Sequence, residues 1–384
     1  MSDRPQTSAE TLVAQGGGRV AEPYREIVEP IHVATTYERA PDGGYPGGAV
    51  YSRDQNPAYR PAEEMLCALE DGRAALLFAS GMSAAAAVFR SLDPGMRVVA
   101  PHAMYWALRN WLIAFGNRWG IEVDFYEPDD AELEAQLELP ADLVWLETPA
   151  NPSWEVMDIA RAATAARRAG ARLVVDSTVA TPVFTQPLAL GADLVMHSAT
   201  KYLNGHSDVV AGALVTRDTD AFWDRICLHR AQEGAVPGPF EAWLLARGMR
   251  TLFPRLRQAS ASAARIADAM AAHPAIGAVL YPGRPDFPGH VVASAQMQGG
   301  FGAMLSIRVR GGEEAARQVA SRLSIFKRAT SLGSTESLVE HRASVEGPGT
   351  RCPDDLLRLS VGIELVDDLI DDLEQALAGI RAGG

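Results

Sequence analysis

The sequence predicts an α/β chain, with a mostly parallel sheet wound by helices in a large domain and a smaller α+β domain after it. Three observations carry that expectation. Apolar runs that do not alternate recur through residues 74–215, as strands buried on both faces require. Helical patterns separate most of these runs, which is the signature of α/β winding. After Gly248 the style changes to a long Ala-rich helical pattern followed by shorter strands and helices.

The elements follow in order. Residues 1–60 are rich in Gly and Pro, with Pro41–Gly48 reading as loop, so this stretch is an arm that wraps its own domain or reaches a neighbour. Met65, Leu66 and Leu69 then share one helical face that Gly72 ends, and Ala74–Ala79 is a short buried strand. Further strands are expected at Arg97–Ala100, Ile121–Tyr126, Asp142–Glu147, Arg172–Asp176, Asp193–His197 and Ala211–Val215. Helices are expected at Met104–Trp119, Ala131–Leu137 and Asp158–Arg168. The last two strands lie close together in sequence, which favours one antiparallel strand. Beyond them come a helix near 255–272, strands at Ala303–Val309 and Leu356–Val361, and helices near 313–323 and 366–380. The organisation is therefore an arm over 1–60, a large domain over 61–250 and a small domain over 251–384.

A net charge of −13 argues against a nucleic-acid or anionic-membrane partner, both of which are held by basic patches. Cys67, Cys227 and Cys352 are scattered and odd in number, so neither a disulfide framework nor a metal site is expected. No apolar run approaches a membrane span, and no charged-then-apolar leader pattern opens the chain. A cytoplasmic protein is the expectation.

Ligands of α/β sheets bind at the carboxyl ends of strands, and three polar clusters fall there. Ser80-Gly81-Met82 turns from a strand into an Ala-rich helix whose free N–H groups suit a phosphate; a bare strand–helix turn is the alternative. Asp176 ends the run Leu173-Val174-Val175, and a carboxylate there needs a partner, either a protonated ring nitrogen or an arginine. Lys201 follows another apolar strand, with Ser198 and Thr200 beside it. An amine of lowered pKa next to a phosphate anchor is what imine-forming enzymes need.

The segment Ser-Ala-Thr-Lys-Tyr-Leu-Asn-Gly-His-Ser-Asp-Val-Val-Ala-Gly over 198–212 resembles the cofactor-lysine signature of the Cys/Met-metabolism (trans-sulfuration) enzymes that use pyridoxal 5′-phosphate, PLP. Cystathionine γ-synthases, cystathionine γ- and β-lyases and methionine γ-lyases make up that family. The resemblance runs from about residue 28 to the C-terminus. Its supporting segments are Tyr51-Ser52-Arg53, Ser80-Gly81-Met82, Glu147-Thr148-Pro149-Ala150-Asn151-Pro152, Arg247–Leu252, Gly300-Phe301-Gly302, Ser331-Leu332-Gly333, Glu336-Ser337-Leu338 and Arg358–Glu364.

By that resemblance the fold is the PLP-dependent transferase fold type I, similar to aspartate aminotransferase. Lys201 carries the cofactor covalently and later shuttles protons, and Asp176 keeps the ring nitrogen protonated. Tyr105 stacks on the ring as a candidate general acid or base, although its aromatic stripe with Trp106, Trp111 and Phe115 also reads as core packing. Ser80, Gly81, Met82, Ser198 and Thr200 hold the phosphate, joined by Tyr51 and Arg53 from the neighbouring subunit of a homodimer, two of which form a tetramer. Asn151 lies near the ring's 3′ oxygen. Arg358 clamps the α-carboxylate of an amino-acid substrate with help from Ser331, and Glu336 favours γ-acting chemistry.

Three departures bear on substrate choice. Trp106-Ala107-Leu108 replaces small residues after Tyr105, Val50 replaces an acid before the Tyr51–Arg53 pair, and the stretch from Glu336 to Arg358 is short and carries His341-Arg342-Ala343-Ser344. The expected activity is of the cystathionine γ-synthase or γ-lyase type. The alternatives are a cystathionine β-lyase or methionine γ-lyase and, in another class, a non-catalytic PLP-binding regulatory protein.

Overall fold

A computed structural model describes residues 7–347 and 350–380 of the chain. In the arm, Ser8 caps a short helix, α1 (Ala9–Ala14). Helix α2 (Arg60–Leu69) opens with Pro61 in its first turn, where the missing N–H has no helical acceptor to serve. It buries the expected face of Met65, Leu66 and Leu69.

Strands and helices then alternate: β1 (Ala74–Phe78), α3 (Gly81–Arg90), β2 (Arg97–Pro101), α4 (Trp106–Trp119), β3 (Glu122–Tyr126), α5 (Asp130–Gln136), β4 (Leu143–Glu147), α6 (Ile159–Ala169), β5 (Arg172–Asp176), the single turn α7 (Thr181–Phe184), β6 (Leu194–His197) and β7 (Gly212–Thr216). They form one sheet in the order β1-β7-β6-β5-β4-β2-β3. Strands β2 to β6 run parallel, and β7 alone is reversed, antiparallel to β1 on one side and β6 on the other. The expected antiparallel strand is therefore β7. Helices α8 (Ala221–Glu233) and α9 (Pro239–Met249) close this large domain.

After them comes α10 (Leu252–Ala271), which leads to a second sheet. The chain continues through β8 (Ile276–Leu280), α11 (His290–Gln296), β9 (Met304–Val309), α12 (Gly312–Arg322), β10 (Lys327–Arg328), β11 (Leu338–His341), α13 (Arg342–Glu346), β12 (Leu356–Ser360) and α14 (Val366–Leu377). This sheet has the order β10-β11-β12-β9-β8 and is antiparallel except at β10–β11.

Packing joins the two. One apolar cluster runs from Val144 and Val175 on one face of the large sheet to Leu305 and Leu357 in the small one. A second fills the opposite face, with Phe78, Trp145, Val174 and Met196 packed against α3, α4 and α8. Buried Arg255 of α10 pins the seam by donating to the Tyr202 carbonyl and the Gly248 carbonyl, both at 3.0 Å. Among the described residues no helix is long and apolar enough to cross a membrane.

Candidate active site

The carboxyl ends of β4, β5 and β6 face a cavity of about 270 Å³. Its floor carries Glu147, Asp176 and Met196, its rim the start of α3, and its roof Ser331, Arg342 and Arg358 of the small domain. The reversed β7 explains why Lys201 is there. The chain leaves β6 at His197 and re-enters the sheet at Gly212, so residues 198–211 loop over the strand ends and carry the lysine with them.

At one end the cavity is built for an anion. Ser80 caps α3 by accepting from the Ser83 N–H at 3.0 Å, which leaves the Gly81 and Met82 N–H groups without helical acceptors. Ser198 and Thr200 line the same region. Thr200 is fixed by Ala211, whose N–H donates to its Oγ1 at 3.0 Å. The turn is held close by two glycines. A Cβ on Gly81 would lie 2.9 Å from Ser198, and one on Gly212 would lie 2.6 Å from the Ser80 carbonyl carbon.

Asp176 is buried at the end of β5. Its Oδ1 accepts from Thr178 N at 3.0 Å and Thr178 Oγ1 at 2.6 Å. Its Oδ2 has no protein partner among the described residues. Burial pushes this carboxyl up, and the Thr178 donors and His197 pull against it. Glu147 sits opposite on β4 and accepts from the Tyr105 N–H at 2.7 Å and the Asn151 N–H at 3.3 Å. Burial, and then the Asp176 carboxylate, push Glu147 up.

The Lys201 amine donates to Ser331 Oγ at 3.1 Å. Burial first, then the positive Arg358 and Arg342, bring it down to about 8. Ser331 holds φ at 106°, a region that strains any residue with a side chain. That strained position does two jobs, because its carbonyl also accepts from Arg358 at 2.9 Å. Arg358 reaches Asn151 Oδ1 at 3.2 Å and Glu340 at 2.6 Å. Burial brings its guanidinium down to about 10.

The structure thus gathers Ser80, Gly81, Met82, Tyr105, Asn151, Asp176, Ser198, Thr200, Lys201, Ser331 and Arg358 around one cavity. Tyr105 precedes α4 and is 43% exposed, so it is not the core residue its aromatic stripe suggested. Leu108 lines the wall, in keeping with a more apolar pocket there. Three expected residues lie elsewhere in this chain. Tyr51 and Arg53 are exposed on the arm, with the guanidinium 5.4 Å from the tyrosine ring. Glu336 accepts from Ser207 and from Thr335 and is outside the cavity lining. Cys352 is partly buried beside Thr350, and burial pushes its thiol up to about 12. Sequence reasoning did not assign Glu147, Thr178 or Arg342. Thr178 was readable, because an Asp-x-Thr spacing lets the hydroxyl cap the carboxylate two residues before it.

The donor set fits PLP: an N–H and hydroxyl cradle for its phosphate, the cavity-facing carboxylate of buried Asp176 for its ring nitrogen, and an amine of lowered pKa for its aldehyde. A family model described as Cys/Met metabolism PLP-dependent enzyme matches residues 10–378. The chain is 42% identical over 355 residues to cystathionine gamma-synthase of Mycobacterium tuberculosis (strain ATCC 25618 / H37Rv), covering 91% of each. It is 38% identical over 374 residues to cystathionine gamma-lyase of Saccharomyces cerevisiae, covering 94% of this chain and 95% of that one. A solved structure of cystathionine gamma synthase from Xanthomonas oryzae pv. oryzae, in complex with aminoacrylate and cysteine, superposes with a TM-score of 0.94 at 35% identity, covering 97% of this chain and 98% of that one.

Proposed function

This chain belongs to the Cys/Met metabolism PLP-dependent enzyme family, and we propose that within it the chain is a cystathionine γ-synthase or γ-lyase whose catalysis runs on Lys201. PLP supplies, when bound, an aldehyde that an amine captures and a protonated ring that draws electrons from the substrate's Cα. The rest belongs to the protein.

The Gly81 and Met82 N–H groups, with Ser80, Ser198 and Thr200, would hold the phosphate at the positive end of α3. Asp176 Oδ2 would accept the ring N–H, and Thr178 aims the carboxylate by occupying Oδ1 and opposes the upward push of burial. Tyr105 and Asn151, which line the cavity, would cover the ring face and meet its 3′ oxygen. Arg358 takes the substrate's α-carboxylate through two donors, a geometry that lysine lacks. Asn151 and Ser331 fix that arginine from either side of the seam. The Lys201 amine, brought down to about 8 by burial and by Arg358, would be largely unprotonated only above that pH, and a readily reached fraction of it is free base below. It stands where it can take the Cα proton and return it at Cβ or Cγ.

Tyr51 and Arg53 are proposed to complete the phosphate site of a second copy, making a dimer the active unit and a tetramer the full assembly. The division between domains is placed near residue 250, and the enzyme is placed in the cytoplasm. Glu336 acts on γ-specificity only through the Ser207 segment that it binds. The apolar Leu108 wall and Val50 favour a second reading, a C–S lyase acting on methionine, because an apolar substrate end suits them better than the ammonium of cystathionine.

The observation that carries the reading is the lysine of lowered pKa lying between an anion cradle and a buried arginine. The test is the visible spectrum of protein with PLP, wild type beside Lys201→Ala, before and after cystathionine. A lysine-dependent band and release of a 2-oxo acid support lyase action. The same band without turnover directs the assay to O-activated homoserine plus cysteine. Absence of a lysine-dependent band refutes the assignment.

A further inference from the structure

Four charged side chains run in file from the cavity roof into the small domain. Arg358 Nη2 meets Glu340 Oε2 at 2.6 Å. The same oxygen takes Arg342 Nη1 at 3.2 Å, and Arg342 Nε donates to Glu346 Oε1 at 2.8 Å. Thr350 Oγ1 donates to the other oxygen of Glu346 at 2.5 Å. The first contact is set by the sheet, because Glu340 and Arg358 are register partners on β11 and β12. The others come from α13, which Arg342 begins. Arg358, Glu340 and Arg342 are 3%, 6% and 6% exposed, so solvent ions barely screen them. Glu340 Oε1 is buried without a partner, so Oε2 alone carries both arginines.

This arrangement poses a problem for carboxylate binding. Glu340 already occupies the arginine that is to receive a carboxylate. Without Arg342, the buried Glu340 and the partly buried Glu346 would face a single guanidinium, and an arriving third carboxylate would be repelled. With Arg342 in place the signs alternate. Arg342 also grips the one Glu340 oxygen that competes for Arg358.

We infer that Arg342 is a positioning residue for carboxylate recognition: by sharing Glu340 Oε2 and offsetting its charge, it keeps Arg358 open to the α-carboxylate of the substrate. The inference rests on the reading of Arg358 as the carboxylate clamp. It gives a task to the His341-Arg342-Ala343-Ser344 segment, which that reading left unused.

The test uses holoenzyme and two probes, followed by the change in visible absorption as each binds. L-Norvaline has an amine and a carboxylate but no leaving group, whereas n-butylamine has the amine alone. Arg342→Leu is expected to weaken L-norvaline binding by about tenfold or more while leaving n-butylamine within about twofold. Adding Glu340→Gln to Arg342→Leu removes the uncompensated charge and restores L-norvaline to within about threefold of wild type. This double variant also decides the matter if Arg342→Leu alone does not fold, since failure to restore overturns the inference. Equal losses for both probes, or no loss for either, overturn it as well. Arg358→Lys separates the two levels. If it leaves L-norvaline binding intact, the clamp reading fails; if it weakens binding while Arg342→Leu does not, only the present inference fails.

Discussion

Gly212→Ala tests whether the anion cradle is set by backbone packing and not by its side chains alone. The added Cβ would stand 2.6 Å from the Ser80 carbonyl carbon and 2.8 Å from the Gly81 nitrogen, with the Ser80 oxygen closer still. Carbon contacts relax at about 3.5–4.0 Å, so β7 and the Ser80–Gly81 turn must part by roughly 1 Å. No rotamer relieves this, because every atom met is main chain. Phe78 and Gly212 are also register partners, which ties the turn to the sheet. Overpacking of this kind costs about 1–3 kcal/mol. Borne by the cradle, that energy weakens PLP binding by roughly 5- to 150-fold. The assay is titration of apoprotein with PLP, read by absorbance, beside thermal unfolding of the same apoprotein. Gly277→Ala in β8 is the control, since its Cβ would meet the Arg308 carbonyl at an ordinary 3.5 Å. Unchanged PLP affinity in Gly212→Ala, with or without lost stability, would refute the packing argument.

Four further outcomes are expected. Reconstitution of apoprotein with PLP requires the unprotonated Lys201 amine, so its rate should rise with pH and level off above a midpoint near 8, as stopped-flow absorbance would show. Arg255→Met removes charged donors from the Tyr202 and Gly248 carbonyls and should cost about 3 kcal/mol or more in urea unfolding. Gly205→Ala should behave likewise, because its Cβ would fall inside the Arg255 guanidinium at a φ of 73°. Asp372 is buried, yet the N–H groups of Ser324, Ile325 and Phe326 and the Gln375 amide hold its carboxyl below the usual range. A carboxyl lowered by folding stabilises at neutral pH and loses that contribution as pH falls through its folded value. The stability gap between wild type and Asp372→Asn should therefore be widest near neutrality and close on acidification, measured by denaturant titration across pH.

What could be read from sequence and what could not divides along local and non-local physics. The core strands of the large sheet were visible because burial on both faces leaves continuous apolar runs, as in Leu143–Glu147 and Arg172–Asp176. Helix α8 was not, since its buried Phe222, Trp223 and Ile226 crowd the first turns and leave no repeating stripe. Strand β8 was hidden for a related reason: it is half exposed and carries Gly277 and Ala278. Lys201, Asp176 and the Ser80–Met82 turn each follow an apolar strand, so position alone marked them. Arg342 could not be assigned that way. Its meaning depends on Glu340, and Glu340 acquires Arg358 only through the pairing of β11 with β12. Tyr51 and Arg53 lie exposed on the arm, outside the cavity lining, and their own positions in the sequence carry no strand-end signal.

The reversed strand β7 also dictates an order of events during synthesis. Among the described residues strand β1 has no sheet neighbour except β7, although more than a hundred residues separate them in the chain. Until Gly212–Thr216 leaves the ribosome, β1 has an open edge and the Ser80–Gly81 turn lacks the close backing of Gly212. Strands β2 to β6, by contrast, pair among themselves as they emerge. Joining β1 last is a loop closure of long range, the slowest kind of step in sheet assembly. A nascent chain halted before Gly212 therefore carries most of the large sheet but no finished cradle, and it holds an unpaired strand that invites misassociation. The cofactor site is the point at which the sheet is completed, so competence to bind PLP reports that the large domain has finished folding.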